Sequence, residues 1–195
     1  MNEVDSKRKQ GPRRSEDSRS AILEASRAEL AESGWRKFSV DSVAKRARAS
    51  KQTIYRWWPA IGTMCVEAGL AILPPRSQLG RDPAERIADL IVPIETALRS
   101  GSGHSVLRGA LLAACDDKDA GEAWRLWHKD HIRTPLRLIL AEIATKNLIR
   151  RDFDVDAAVD SLLGPIWNRL LLMRAPIEEG YSFQQAQNLL KQLAP

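Results

Sequence analysis

Cysteine is scarce in this chain of 195 residues, and the two present, Cys65 and Cys115, stand fifty residues apart on separate predicted helices. That usage speaks against a disulfide framework and fits reduced thiols in the cytoplasm, where the protein is expected to reside. Long apolar runs are absent too: none approaches the roughly 18 residues needed to cross a bilayer, so no membrane partner is expected. The N-terminus is polar and charged and lacks the apolar stretch of a secretory signal. Period-2 alternation, the mark of a half-buried strand, is missing, and so is any internal repeat. Enzyme signatures are missing in the same way: there is no Gly-x-Ser-x-Gly elbow, no phosphate loop ending in Gly-Lys-Ser/Thr and no Rossmann glycine fingerprint. With neither Cys-x-x-Cys nor His-Glu-x-x-His present, no metal or cofactor is expected, and the chain reads as a non-enzyme.

What is there is helical pattern and misplaced charge. A hydrophobic content of 44% over this length can bury a core, enough for a small domain and a larger one. The net charge is +5, yet the first 62 residues hold 14 basic and 8 acidic side chains and the remainder 16 and 17, so the basic surplus is N-terminal. A surplus of that sign attracts a polyanion. Lys7, Arg8, Lys9, Arg13 and Arg14 precede the first helical pattern; residues 1–14 read as a disordered basic arm that either follows DNA or is a solvated tail.

The stretch from Ser39 to Trp58 carries the clearest chemistry. Ser39 is a good N-cap and Asp41 suits the positive end of a helix dipole, while Val40, Val43, Ala44 and Ala47 give an apolar stripe. Ser42, Lys45, Arg46 and Arg48 turn outward. A second helix can be capped by Ser50, buried through Ile54 and Trp58, and stopped by Pro59. Its other face is rich in donors. Lys51, Gln52 and Arg56 can reach bases in a major groove, and Ser50, Thr53 and Tyr55 are hydroxyls suited to phosphate. This is the layout of a helix-turn-helix reader of double-stranded DNA, with Ser39, Lys45 and Arg46 as further candidate DNA contacts.

Together with Arg19–Ala25, Ser33-Gly34-Trp35 and Phe38, the stretch through Ser50-Lys51-Gln52-Thr53-Ile54-Tyr55-Arg56-Trp57-Trp58-Pro59 resembles the N-terminal domain of TetR-family transcriptional regulators, over about a third of the chain. Two positions depart from that pattern. Arg48 stands where the family usually has a turn glycine, and Ile61 where it usually has a phosphate-contacting lysine. The resemblance implies an all-α fold with a three-helix helix-turn-helix domain over 15–60 and a larger helical effector-binding and dimerisation domain over 61–195. It also implies a homodimer on a palindromic operator, repression, and release by a small molecule. Control by a protein partner is the alternative. Dimerisation has its own rationale, because one short helix reads few bases and a two-fold pair places two in successive grooves.

Beyond Pro59 the pattern predicts a helix from Thr63 to Leu73, another from Asp82 to about Arg99 kinked at Pro93, and one from the Gly101–Gly103 turn through Cys115. A long helix capped by Asp119 and Glu122 then runs to about Asn147 with a kink or break near Pro135. Asp116, Asp117 and Asp119 are read as turn and cap chemistry rather than a metal site. From Asp154 a broad stripe follows, with a bend expected at Gly164-Pro165. The last helix is assigned a Ser182–Gln185 capping box. By resemblance these last two helices form the dimer interface, with Leu162, Leu163, Ile166, Leu170, Leu189 and Leu190 as its residues; the same stripe could be wholly internal core. The resemblance likewise suggests a ligand pocket, with His104, Arg108, Leu111, Cys115, Trp124, Trp127, His128, His131, Trp167 and Met173 as lining candidates, although tryptophan and methionine on helices are commonly plain core. His128 and His131 are spaced to share an ion, but a partly solvated helix face explains them better.

Overall fold

The computed structural model describes residues 12–77 and 81–195, and among them there is no strand. Residues 1–11 of the expected arm lie outside this range, whereas Arg13 and Arg14 already belong to α1, Pro12–Ser33. A short 3-10 turn, Trp35–Lys37, leads to α2, Val40–Ala47, and α3, Lys51–Trp57. Then come α4, Ile61–Leu70; α5, Pro83–Ala88; α6, Val92–Arg99; and α7, Gly103–Asp116. The chain continues as α8, Lys118–His128, a π-helical segment Lys129–Arg133, and α9, Thr134–Thr145. It closes with α10, Val155–Trp167, a second π-helical segment Asn168–Met173, and α11, Tyr181–Gln192.

Two cores hold the helices together. Ile22 and Leu30 of α1, Val43 of α2, Ile54 of α3 and the following Trp58 pack with Met64, Cys65 and Ala68 of α4 and with Val106 and Ala113 of α7. The small domain is therefore not sealed at residue 60; its core continues through α4 onto α7. The larger core gathers α5, α6, α7, α9, α10 and α11 around residues such as Ile87, Ile91, Leu107, Leu136, Leu140, Leu162 and Ile166. Glycine sets how closely α4 lies on its neighbours. A Cβ on Gly69 would fall 2.3 Å from the Ala110 Cβ, and one on Gly62 would fall 2.8 Å from Asp117 and 2.9 Å from the Ala120 Cβ.

Several element ends differ from the sequence reading, each for a physical reason. The Asp82–Glu85 capping box forms as expected, but the helix it opens stops at Ala88, and Pro93 sits in the first turn of a separate helix. Proline there avoids both a lost hydrogen bond and a clash with the carbonyl four residues back. The cap of α8 is Asp117, whose carboxylate accepts from Ala120 N at 2.8 Å, not Asp119. Around Pro135 the helix does not break; it widens into the π turn, which gives the ring room. Asp154 caps α10 as a single acceptor for Asp156 N and Ala157 N. The Ser182–Gln185 box is not formed. Gly180, in the left-handed region at φ 80°, precedes α11, and the buried Glu95 of α6 accepts from Gly180 N at 2.9 Å and Ser182 N at 2.7 Å.

The stripe assigned to a dimer interface is consumed inside the chain. Leu162, Leu163, Ile166, Leu170 and Leu189 are each at most 2% exposed in the larger core, so they offer no area to a second copy. Leu190 alone of that set keeps partial exposure.

Candidate nucleic-acid interface

The two short helices of the reading head are set by local capping. Ser39 Oγ accepts from Ser42 N at 3.3 Å, and Ser50 Oγ accepts from Thr53 N at 3.1 Å while meeting Thr53 Oγ1 at 2.9 Å. Between them Arg48 adopts φ 50° and ψ 38°, the left-handed conformation in which glycine is ordinarily found. The turn is closed by Ala49 N donating to Ala44 O at 3.0 Å, a Schellman-type bond. Arginine here carries strain of about 1–2 kcal/mol that glycine would not. Ile61, in the place of the missing lysine, packs partly buried against the head's core and presents no charge.

The candidate DNA contacts fall into two groups. Gln52, Tyr55 and Arg56 are exposed on one side of α3 with no side-chain hydrogen bond or ion pair among the described residues, as are Lys45 on α2 and Arg48 in the turn. The remaining cations are engaged. Lys51 is paired with Asp41, whose hydrogen bond and charge hold its ammonium pKa above the ordinary value. Arg46 grips Glu32 of α1 with both terminal guanidinium nitrogens, which raises its own pKa and lowers that of Glu32, and its Nε also approaches Glu29 at 3.8 Å. Arg46 thus braces α2 against α1. Ser39, Ser50 and Thr53 spend hydroxyl capacity on the caps.

One cluster escaped the sequence reading because its members are far apart in the chain. Arg19 of α1 lies over the rings of Trp57 and Trp58, at 5.7 and 5.3 Å from their centroids, and pairs with Glu67 of α4. Glu67 also accepts from Trp58 Nε1 at 2.8 Å. The end of α3 is therefore clamped to both α1 and α4. No sequence spacing signals such a contact.

The expected ligand-pocket residues do not line one cavity. Trp127 and His131, stacked at 5.2 Å, border a cavity of about 240 Å³ with Leu70, Leu73, Leu90, Pro93 and Ile94. Trp124 packs on Trp127 at 5.4 Å and edge-on to Trp167 at 5.8 Å, next to the larger core. His128, half-buried, has its pKa lowered chiefly by desolvation. His104 and Arg108 instead border a cleft between α7 and the head, away from the tryptophans. Leu111 belongs to the core, while Cys115 and Met173 are exposed and line neither cavity. Among the described residues no group of three or more His, Cys, Asp or Glu side chains is placed to hold a metal ion, and no helix is long and apolar enough to cross a membrane.

Comparison with known proteins agrees with this architecture. Residues 22–61 match the family described as bacterial regulatory proteins, tetR family, and residues 81–187 match the tetracyclin repressor-like C-terminal domain. The chain is 26% identical over 185 residues to the HTH-type transcriptional regulator YdeS of Bacillus subtilis (strain 168), covering 94% of this chain and 93% of that one. It is also 26% identical over 152 residues to the HTH-type regulator Mb1581 of Mycobacterium bovis (strain ATCC BAA-935 / AF2122/97), with 75% and 73% covered. Among solved structures it resembles the TetR family transcription regulator SCO0332 with a TM-score of 0.62 and 26% identity, over 92% of this chain and all of that one.

Proposed function

Because this chain belongs to the TetR family of DNA-binding transcriptional regulators, we propose that it acts as a homodimeric repressor that covers a palindromic operator and leaves it when a small molecule binds the larger domain. The observation that carries the DNA half is the row of unpaired donors, Gln52, Tyr55 and Arg56, on a capped and clamped α3. Gln52 is suited to a base edge and Tyr55 to a phosphate oxygen. Lys51 joins them by exchanging Asp41 for DNA. Lys45 and Arg48 add phosphate attraction beside them, where the usual lysine is replaced by Ile61.

Two such heads on one duplex require a pair of chains. The pairing surface is the outward side of α10 and α11, where Leu190 and Phe183 remain accessible after the core is filled. The effector half of the proposal rests on the cavity beside Trp127 and His131, which adjoins Leu70 at the end of α4. A ligand there touches the helix whose Glu67 holds the reading head. Its binding favours one spacing of the two heads over another, which is how a ligand shifts operator affinity.

Selection of bound fragments from the source genome, followed by gel shift at fixed salt, tests the reading. A palindromic sequence should emerge. Gln52→Ala should change which operator is preferred, by about 1–3 kcal/mol at the contacted base, and Tyr55→Phe should weaken binding to all sequences alike. Absence of any preference over scrambled competitor overturns the proposal.

A further inference from the structure

The second cavity lies where the reading head meets the larger domain. One wall is the end of α1 and the Trp35–Lys37 turn, and the other is α7 with the end of the second π-helical segment. Its two overlapping lobes measure about 350 and 620 Å³. Arg36, Lys37, Arg108 and Arg174 all border it, and no carboxylate among the described residues forms an ion pair with any of the four. Among the described residues the one acid lining it, Glu32, is already gripped by Arg46. Arg108 Nε is buried and has no hydrogen-bond partner among the described residues, an arrangement that costs free energy unless something else accepts from it. His104 stands beside Arg108 and Arg174, and after desolvation it is their charges that push its pKa down. Arg174 is held at the cleft by a left-handed backbone at φ 50°.

Like charges gathered without counter-charges are unfavourable in an empty site and favourable around an anion. The cleft also offers an aromatic wall. Trp35 is partly exposed, and its ring is fixed because Nε1 donates to Asp116 at 2.9 Å. Guanidinium forks match the oxygens of phosphate and carboxylate groups, and an aromatic face suits a planar body.

We propose that this cleft binds a small organic anion bearing two or more negative charges and a planar part, with Arg108 and Arg174 holding the charged end and Trp35 flanking the ring. The ligand would touch the reading head and the larger domain at once. The site is separate from the cavity beside Trp127, and its occupancy does not depend on DNA recognition.

Isothermal titration of the full chain without DNA, at a constant ionic strength of about 0.15 M, tests this with pyrophosphate and adenosine 5′-diphosphate as probes. Both should bind at a single site, the diphosphate with the planar base more tightly. Arg108→Gln and Arg174→Gln should each weaken binding about tenfold or more, the loss expected for a hydrogen bond to a charged group. Trp35→Leu should erase the advantage of the nucleotide over pyrophosphate. Arg174 is exposed, so its variant keeps the test valid if Arg108→Gln disturbs folding, as far-UV circular dichroism would report. Arg56→Gln, on the DNA-reading face, should bind both probes as the parent does. The proposal is overturned if neither probe binds, if the Arg174 variant retains full affinity, or if Arg56→Gln is the change that abolishes binding. Failure here leaves the DNA reading intact, and loss of operator preference leaves this site intact.

Discussion

Replacing Glu95 with glutamine keeps the side chain's shape but removes its charge and one of its acceptors. In the parent, the two carboxylate oxygens accept separately from Gly180 N and Ser182 N, at the start of α11 and only 6% exposed. Glutamine has one oxygen, so one of those backbone donors must face an NH2 group. A buried donor left unpaired costs about 1–3 kcal/mol, and losing a negative charge at a helix N-terminus adds about 1 kcal/mol. A loss of about 2–4 kcal/mol is expected in total, of which the unpaired donor is the larger part. For a chain of this size that is a drop in Tm of roughly 4–16 °C, at about 2–4 °C per kcal/mol. Thermal unfolding followed by circular dichroism measures it. The neighbouring Ser182 supplies the contrast: its buried hydroxyl has no hydrogen-bond partner among the described residues, so Ser182→Ala should leave Tm unchanged or raise it. A Glu95→Gln protein melting within a degree of the parent would refute the claim that this carboxylate caps α11.

Arg48→Gly should raise stability by about 0.5–1 kcal/mol in the same melt, the relief of left-handed strain less the greater unfolded-state freedom of glycine; a lower Tm would show the turn is not strained. Asp41→Asn frees Lys51 and should tighten operator binding on the order of a few-fold at low salt, with the gain fading in high-salt gel shifts; unchanged affinity would mean the pair does not compete with DNA. Toward Ellman's reagent, Cys115 should react in the native protein and Cys65 only after unfolding, because Cys65 is buried and desolvation pushes its thiol pKa up; two equally fast thiols would contradict the packing. Glu142 is hydrogen-bonded by Arg86 at 2.7 Å and Lys146 at 2.8 Å, which bring its pKa down from 4.5 to about 2. Its contribution is therefore present above the unfolded value and lost as pH falls between those two values, and Glu142→Gln should flatten that part of the acid-unfolding curve.

The reading head was legible in the sequence because its determinants are local. A cap serine serves a backbone N–H three residues away, an apolar stripe repeats every three or four, and Pro59 ends the helix, so Ser39, Ser50, Ile54 and Trp58 stand where their spacing put them. The same logic gave the Asp82–Glu85 box. It failed for α11, whose cap comes from Glu95, 85 and 87 residues distant from its two donors. It also failed for the Arg19–Glu67–Trp58 clamp and for the pairing of Arg46 with Glu32, since a charged residue on a helix surface carries no record of which neighbour the fold will bring to it. Apolar periodicity found the inner face of α10 but does not distinguish a face buried in one chain from a face buried between two. The pocket residues were scattered for a related reason: composition identifies aromatic and basic side chains, and only packing decides that His104 and Trp127 look into different spaces.

Gly62 and Gly69 seat the backbone of α4 against short side chains of its neighbours, Ala110 on α7 and Asp117 and Ala120 where α8 begins. Contacts of that kind do not compress. Under the proposed ligand control, the helix would act as a push rod seated in a fixed groove: a displacement imposed at its Leu70 end, beside the Trp127 cavity, would pass to Glu67 and the tryptophans above α3. Adding a methyl group at Gly69 would jam the rod before it touched either the cavity or the DNA.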